Sequence, residues 1–143
     1  MLFRSAEIVV AMPFTEIKMA QQAAQLMSGR AGVREAVILC VHDDDAVGFV
    51  ALANQIFRAT RSSYFAYVAQ DAYAGRSWLD KAIKALGSHH GLLAFNDGKW
   101  FGALAGFGLV RRSWATQNYA GNLFNPSYRQ HYEDAEQIGR AHV

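Results

Sequence analysis

The sequence of 143 residues lacks several features that mark common classes of protein. Cys40 is the only cysteine, so no disulfide can form within the chain, which is typical of proteins in the reducing cytoplasm. No apolar run approaches the roughly 20 residues that a membrane-spanning helix needs. The formal net charge is only +2 and no basic block occurs, which argues against a nucleic-acid partner. Walker-type loops, Gly-x-Gly-x-x-Gly fingerprints and zinc-type Cys/His spacings are also missing. We therefore expect a cytoplasmic protein with no transmembrane segment and no nucleic-acid partner.

The composition is that of a chain that can build one hydrophobic core. Apolar residues make up 52% of the chain and charged residues 18%. A chain of this length and apolar content suits one compact domain and leaves no room for a second. We expect residues 1–143 to form a single domain, with Cys40 as a small buried apolar side chain inside the run AVILCV.

Three short apolar segments rich in β-branched residues alternate with three segments of helical periodicity. The apolar segments are Glu7–Pro13, Ala36–Val41 and Tyr64–Ala69, and the helical ones cover about 15–29, 47–59 and 77–87. This alternation is typical of α/β domains with a mainly parallel sheet and helices on both faces. We predict that fold class, with the second strand buried on both of its faces.

Local signals predict where the helices begin and end. Thr15 is a candidate N-cap for the first helix, and Ser77 with Asp80 is a candidate capping box for the third. Gly87 follows the third helix and is a candidate C-cap. Each predicted helix therefore begins shortly after a predicted strand.

The second half of the chain predicts an antiparallel addition to the sheet. The apolar segments Gly91–Phe95 and Trp100–Val110 lie on either side of Asp97-Gly98, and Asp-Gly between two apolar runs is a strong hairpin signal. Glycines at 102, 106 and 108 indicate bulges or close backbone contacts. Residues 132–141 have the pattern of a terminal helix, with acidic residues early and Arg140 late.

Acidic side chains follow two of the predicted parallel strands. Asp43, Asp44 and Asp45 come after the second strand, and Asp71 comes after the third. Ligands of open α/β sheets bind outside the carboxyl ends of the strands. Carboxylates gathered at such an edge suit a divalent cation that holds a phosphate group.

Each of these groups also has a simpler interpretation. The acids at 43–45 suit helix capping, and Asp71 suits the start of a turn. The acids at 133, 134 and 136 suit the solvated first turn of a helix. His89-His90 follows a helix end, where an imidazolium interacts well with the helix dipole, whereas His131 lies nearer the acidic pair and is the better metal-ligand candidate.

The order of these features resembles that of inverting glycosyltransferases with the GT-A fold, of the large family 2 type. The segments that carry the resemblance are EIVVAMPF, VILCVHDDD, ALANQIFRATRSSYFAYVAQDAYAGRSWLDKAI, GALAGFGLVRRSW and FNPSYRQHYEDAEQIGRA. The resemblance implies a three-layer α/β sandwich. In it, residues 1–87 would form a nucleotide-binding half, and residues 88–143 an acceptor-side hairpin and a Glu-Asp helix.

The resemblance also implies an activity, in which a sugar is transferred from a nucleotide-diphosphate sugar to a hydroxyl of a saccharide or protein acceptor. Pro13, Phe14, Asp43, Asp44 and Gln70 would contact the nucleotide. A Mg²⁺ or Mn²⁺ ion would assist the departure of the pyrophosphate group.

Three further positions receive roles from the same resemblance. Asp71 is similar to the second acid of the Asp-x-Asp element, which holds the metal, and His131 is a second candidate ligand. Asp134, preceded by Glu133, is similar to the base that deprotonates the acceptor.

The sequence departs from the family pattern in two respects, which leave other interpretations open. Ala69 stands where the first acid of the Asp-x-Asp element is often found, and the chain is shorter than most members, as in a short or truncated member. One alternative is a catalytically inactive GT-A-fold protein that serves as a nucleotide-binding or protein-interaction module. Another is an unrelated α/β protein that forms a homo-oligomer through the apolar stretch 101–110.

Overall fold

The computed structural model describes residues 7–95 and 107–126. The elements in chain order are β1 Ile8–Phe14, α1 Ile17–Arg30, β2 Ala36–His42, α2 Phe49–Ala59, β3 Tyr64–Tyr67, α3 Trp78–Leu86, β4 Leu92–Ala94, β5 Gly108–Arg111 and α4 Arg112–Ala115. The predicted strand–helix alternation is confirmed, with the element ends within a few residues of those expected.

The strands form one five-stranded sheet in the order β2-β1-β3-β5-β4. β1 pairs in parallel with β2 and β3, whereas β5 pairs antiparallel with β3 and β4. One core cluster lies between the sheet and α1 and α3, and a second lies on the opposite face against α2 and α4. The predicted three-layer α/β architecture is therefore confirmed.

β1 is the most buried strand, and all seven of its residues are buried. Pro13 fits there because β3 pairs only with residues as far as Ala11. The amide of Asp43 donates to Phe14 O over 2.8 Å, so Phe14 presents its backbone groups to β2 and Pro13 presents its own to the other side. The N–H group that proline lacks therefore belongs to a position beyond the end of the β1–β3 ladder.

β2 corrects two of the expectations from the sequence. It is an edge strand, and none of its residues is buried, although its sequence is as apolar as that of a doubly covered strand. Cys40 is exposed rather than buried. Neighbouring atoms still exclude enough water to raise the pKa of the Cys40 thiol above its ordinary value, so its thiolate is less available than that of a free cysteine.

Two predicted helix caps are wrong, and one is confirmed. The N-cap of α1 is Glu16 rather than Thr15. Ser77 does occupy the N-cap of α3, but its side chain makes no capping hydrogen bond, and Asp80 instead pairs with Lys84 over 3.0 Å. Gly87 is the C-cap of α3 with a φ of 61°, as expected.

The antiparallel pairing of β4 and β5 is confirmed, but its register is not that of the predicted turn. Leu92 lies opposite Val110, whereas a two-residue turn at Asp97-Gly98 would set Leu92 opposite residue 103. The Asp97-Gly98 turn itself and the glycines at 102 and 106 lie outside the described residues. Gly108 makes the close contact that was expected, because an added Cβ would lie 2.7 Å from the Tyr67 hydroxyl.

Arg111, the last residue of β5, and Arg112, the first residue of α4, reach the C-terminal ends of helices on opposite faces of the sheet. Arg111 donates to Gly87 O, the C-cap residue of α3. Arg112 donates to Phe57 O in the last turn of α2 over 2.7 Å. Since neighbouring strand residues point to opposite faces, two adjacent residues can complete the two helix layers.

Candidate functional site

β1, β2 and β3 run parallel, so their carboxyl ends lie together along one side of the sheet, which we call the carboxyl edge. The loops 15–16, 43–48 and 68–77 leave this edge and lead into α1, α2 and α3. Ligands of open α/β sheets bind at this position. The sequence-predicted site residues within the described part of the chain all lie here: Pro13, Phe14, Asp43, Asp44, Gln70 and Asp71.

Asp43 organises the loop between β2 and α2. Its Oδ1 atom accepts a hydrogen bond from the amide of Val47 over 2.8 Å, and its Oδ2 atom accepts one from the amide of Gly48 over 2.9 Å. Gly48 is the N-cap of α2 and has a φ of 95°, a conformation that favours glycine. Asp43 therefore orders the loop before α2, but α2 has no side-chain capping hydrogen bond, so the helix-capping interpretation is not confirmed. A role in ligand binding would come in addition to ordering the loop.

The rings of Phe14 and His42 and the carboxylate of Asp44 lie next to one another at the ends of β1 and β2. The centroids of the Phe14 and His42 rings are 5.0 Å apart, with the planes inclined by 32°. His42 Nδ1 contacts Asp44 Oδ1, and both of these side chains are largely exposed. An exposed imidazole beside a carboxylate offers one surface for stacking and one acceptor for hydroxyl groups.

Gln70 joins the loop after β3 to the beginning of α1. Its Oε1 atom accepts hydrogen bonds from the amides of Thr15 and Glu16, each over 3.0 Å, and its Nε2 atom donates to Thr15 Oγ1 over 3.2 Å. Both amides lie just before the first residue of α1, and Glu16, the N-cap residue, makes no capping hydrogen bond with its own side chain. Gln70 therefore fixes the position of its neighbour Asp71 relative to the end of β1.

Asp71 lies in a tight turn at the carboxyl edge. The amide of Ala72 donates to Ala69 O over 3.1 Å, so Gln70 and Asp71 are the two central residues of a turn, as the simpler interpretation of Asp71 predicts. Within residues 7–95 and 107–126, the exposed Asp71 carboxylate has no hydrogen bond or ion pair. It is therefore available to an external cation or donor.

A cavity of about 520 Å³ opens beside Asp71. Its walls are aromatic and apolar, and include Trp78, Phe95 and Phe107. The Trp78 ring meets the Phe95 ring edge to face at 5.8 Å, and its N–H donates to Met27 O over 2.8 Å. Among the described residues that line the cavity, Asp71 is the only one with an ionised side chain. The volume of the cavity is in the range of about 300–1,000 Å³ that is usual for small-molecule sites.

A tryptophan at an apolar position of a domain is more often a core residue than a ligand platform. Trp78 and Trp114 are both half-buried and pack against the two core clusters, in agreement with that expectation. Trp78 also lines the cavity, a second role that its position in an amphipathic helix does not reveal. Trp100 lies outside the described residues.

The described residues lack a complete cage of metal ligands, but the carboxylate of Asp71 stands at the mouth of the cavity. Among them, no three His, Cys, Asp or Glu side chains are grouped as metal ligands. Mg²⁺ commonly takes only one or two carboxylates and completes its shell with water and substrate phosphates. Asp71 fits that mode of binding because it is exposed and has no partner among these residues.

A buried asparagine, which the sequence analysis did not single out, positions the last described segment. Asn54 is 2% exposed, and its side chain donates to Phe124 O over 3.2 Å and accepts from the amide of Phe124 over 2.8 Å. The Phe124 ring packs edge to face against Tyr67 at 4.9 Å. Asn54 thereby holds the segment before residue 127 against the end of β3. The sequence does give one indication of this role, because Asn54 is an amide side chain among the apolar residues of α2.

Replacing Asn54 with alanine is expected to lower the free energy of unfolding by about 2 kcal/mol, because a buried amide and a buried carbonyl lose their partners. Gln55→Ala is the matched control, since Gln55 is the next residue of α2 and is exposed. Urea unfolding of both variants measures the difference. Equal losses in the two variants would show that the contacts with Phe124 do not stabilise the fold.

Three predicted site residues lie outside the described residues. These are His131, Glu133 and Asp134, together with the helix predicted for 132–141. Their predicted roles as metal ligand and catalytic base remain predictions. No helix in the described ranges is both long and apolar enough to cross a bilayer.

The chain was compared with known proteins by sequence and by structure. No family model matches it, and no curated protein matches it in sequence. Among solved structures, it is similar to "Mannosyltransferase PcManGT from Pyrobaculum calidifontis in complex with GDP-Man and Mn2+", with a TM-score of 0.74 and 12% sequence identity. The match covers 94% of this chain and 51% of the mannosyltransferase, so the chain spans about half the length of that protein.

The similarity extends over almost all of this chain but rests on few identical residues, so it concerns the fold. The mixed five-stranded sheet between two helical layers agrees with it. We conclude that this chain has a glycosyltransferase-like α/β fold.

Proposed function

We propose that this protein is a glycosyltransferase that transfers a sugar, with inversion, from a nucleotide-diphosphate sugar to an acceptor hydroxyl. The observation that carries the proposal is the placement of Phe14, Asp44 and Asp71 along the carboxyl edge of a glycosyltransferase-like fold. Aromatic and carboxylate groups at one end of the edge suit a nucleoside, and a free carboxylate further along it suits a metal-bound diphosphate.

The nucleotide would lie across the ends of β1 and β2. The exposed His42 ring, backed by Phe14, offers a stacking surface for the base. Asp44 would accept hydrogen bonds from the ribose or base, and Asp43 would hold the loop in place through Val47 and Gly48. Pro13 and Gln70 would contribute through the backbone geometry that they set rather than through ionised groups.

Asp71 would hold the divalent cation. A Mg²⁺ or Mn²⁺ ion bound there would offset the negative charge that the departing diphosphate gains as the glycosidic bond breaks. The similar mannosyltransferase was solved with GDP-Man and Mn²⁺, which supports a nucleotide sugar and a divalent cation as ligands to test. Gln70 would keep the Asp71 turn fixed relative to the nucleotide-binding loops.

The acceptor would approach from the side of residues 88–143, while residues 1–87 would bind the donor. Inversion requires one base on the face of the sugar opposite the leaving group, and Asp134, with Glu133 beside it, is the candidate for that base. His131 is a second candidate for the metal. Asn54 holds Phe124, which lies a few residues before these candidates, near the end of β3.

A second candidate function is a nucleotide-binding or protein-interaction module without catalysis. Two observations favour it: Ala69 stands in place of an acid, and the described residues lack a group of three metal ligands. The two candidates differ in whether a bound donor is cleaved, which can be measured without knowledge of the acceptor.

The first experiment measures binding of GDP and UDP by titration calorimetry, with and without Mn²⁺, to the wild type and to Asp71→Asn. We expect Mn²⁺-dependent binding of at least one nucleotide, weakened at least about tenfold in Asp71→Asn. Asp80→Asn is the matched control, because it removes the same charge from a residue on α3 that pairs only with Lys84. Release of GDP or UDP from GDP-mannose and UDP-glucose is then followed with water as the acceptor.

The outcomes separate the proposals. Binding with slow release of the nucleotide supports the enzyme, and binding without any release supports the inactive module. If neither nucleotide binds under any condition, the enzyme and the nucleotide-binding module are both wrong, and the protein-interaction module is the candidate that remains. Unchanged affinity in Asp71→Asn would remove Asp71 from the metal site.

A further inference from the structure

The cavity beside Asp71 adjoins the proposed metal site, and four aromatic side chains line it. They are Tyr73, Trp78, Phe95 and Phe107. The last three are half-buried, so part of each side chain stays exposed although the rest packs into the fold. Apolar surface left open in a concave site is typical of a place where a small molecule binds.

The strand order places this cavity beyond the proposed metal site, as seen from the nucleotide. β3 lies between β1 and β5, and Gly108 at the start of β5 pairs with Tyr67 at the end of β3. Phe107 precedes β5, and the amide of Phe95 donates to Phe107 O over 2.8 Å, so both rings belong to the carboxyl edge. The nucleotide loops, Asp71 and these rings thus follow one another along the edge, in the order of nucleoside, diphosphate and acceptor.

Two hydrogen bonds to the last turn of α1 hold the walls of the cavity. The N–H group of Trp78 donates to Met27 O over 2.8 Å, and Arg30 Nη1 donates to Ala74 O over 2.9 Å. The guanidinium of Arg30 also lies over the Tyr73 ring, 5.5 Å from its centroid. The walls are therefore in place before a ligand arrives, and binding costs little further ordering.

Few free polar groups are available from the side chains of the cavity. Among the described residues that line it, the carboxylate of Asp71 and the hydroxyl of Tyr73 are the free ones, and both belong to the loop after β3. The N–H group of Trp78 is already used by Met27 O. In the backbone of the same loop, Ala74 O is already used by Arg30.

This distribution of polar groups disfavours a saccharide. A saccharide carries hydroxyl groups around its whole ring, and those buried against Trp78, Phe95 or Phe107 would lose their bonds to water without replacement. A hydroxylated aromatic compound has few hydroxyl groups to satisfy and an apolar ring to bury. Its ring would also gain from edge-to-face or offset contacts with the aromatic side chains, in addition to burial.

We propose that this cavity binds the acceptor and that the acceptor is a hydroxylated aromatic compound, an inference that rests on the proposed function. The ring would lie among Trp78, Phe95 and Phe107, and the hydroxyl would point toward Asp71. The volume of about 520 Å³ has room for two fused rings.

In the transfer, the acceptor oxygen would form a bond to the anomeric carbon of the donor while the bond from that carbon to the diphosphate breaks. The electron pair of the broken bond leaves with the diphosphate, and the hydroxyl proton passes to the base of the proposed reaction. A phenolic hydroxyl, with a pKa of about 10, gives up its proton readily to such a base.

Titration calorimetry with 2-naphthol, without nucleotide or metal, tests the cavity on the full chain. We expect 2-naphthol to bind with a Kd below about 1 mM, and D-mannose to bind at least about tenfold more weakly. Trp78→Leu and Phe95→Leu keep an apolar side chain but remove a ring, so each should weaken the binding of 2-naphthol by about three- to tenfold. Trp114→Leu is the matched control, because Trp114 is also half-buried but packs against the other core cluster.

The binding results decide the ligand class. If neither compound binds, or if D-mannose binds as tightly as 2-naphthol, the proposal is overturned. Affinity for 2-naphthol that Phe95→Leu leaves unchanged would overturn it too, and this mild substitution keeps the test decisive if Trp78→Leu does not fold.

Nucleotide release tests the acceptor role separately. With GDP-mannose or UDP-glucose and Mn²⁺, 2-naphthol should raise the rate of release at least about tenfold over water alone, and D-mannose should not. Release in water that 2-naphthol does not accelerate would overturn the acceptor role. If 2-naphthol binds but no nucleotide is bound or released, the proposed enzyme is wrong, and the cavity remains a binding site for an aromatic compound.

Discussion

Replacing Arg112 with methionine is expected to lower the free energy of unfolding by about 3 kcal/mol, a large share of the about 5–15 kcal/mol typical of a domain. The guanidinium is half-buried and donates to Phe57 O over 2.7 Å, to Thr60 Oγ1 over 2.9 Å and to Ser62 Oγ over 3.1 Å. It also contacts Ser62 O and stacks over the Phe57 ring at 4.3 Å. Methionine fills similar space but removes the donor that serves Phe57 O, Thr60 Oγ1 and both oxygen atoms of Ser62.

Arg61→Met is the matched control. Arg61 is exposed and donates to Arg58 O and Thr60 O at the same end of α2, so its loss should cost less than about 1 kcal/mol. Arg112→Lys should lie between the two, because an ammonium group cannot reproduce the planar fork. Urea unfolding measures all three variants. Similar losses for Arg112→Met and Arg61→Met would show that the buried bonds add nothing to stability.

The effect of Arg112→Met should not depend on pH between 6 and 8. Burial, and secondly the charge of Arg61, lower the pKa of Arg112 to about 10. Both the folded and the unfolded chain still hold the proton well below that value, so no proton is exchanged on unfolding. Above the lowered pKa, the folded chain releases the proton first, and stability from this group would rise with pH. A loss that changes between pH 6 and 8 would contradict this assignment.

Gly91→Ala is expected to lower the free energy of unfolding by about 2–3 kcal/mol. A Cβ atom at this position would lie 2.3 Å from Cγ and 2.4 Å from Cδ2 of Trp114, which is half-buried against the core on the side of α2. The carbonyl of Gly91 also accepts a hydrogen bond from the amide of Arg111 over 2.9 Å, so the backbone cannot move freely away from the ring. Thermal unfolding followed by circular dichroism measures the loss.

Gly29→Ala provides the control with the opposite sign. An added Cβ at Gly29 meets nothing within 4 Å, and alanine is the better helix former, so stability should rise by up to about 1 kcal/mol. A double-mutant cycle with Trp114→Leu isolates the contact. Gly91→Ala should cost much less in that background, and an unchanged cost would mean that the strain lies elsewhere.

The alternation of strands and helices was predictable because the spacing of apolar residues within each short segment indicates its secondary structure. EIVVAMP and AVILCV were both recognised as strands, yet β1 is fully buried and β2 forms an edge. The apolar pattern of a strand does not say how many neighbours the strand will have. That number depends on where later strands join, which is why the exposure of Cys40 was not foreseen.

In the candidate site, too, some features could be predicted from the sequence and others could not. The placement of Asp43 and Asp71 at one edge follows from their positions after parallel strands, and the sequence predicted it. The contacts of Gln70 with Thr15 and of Asn54 with Phe124 join residues 55 and 70 positions apart. No local pattern encodes such pairs, because they depend on which loops the completed sheet brings together.

The arginines at the junction of β5 and α4 limit how this part of the chain can change in length. Arg111 completes the end of α3 on one face, and Arg112 completes the end of α2 on the other. Inserting or deleting one residue between Gly108 and Arg111 would exchange the faces of both side chains at once. Both helices would then lose their hydrogen bonds to these arginines in a single event. We therefore expect homologous chains to vary in length in the connections between elements and to keep the spacing within this strand.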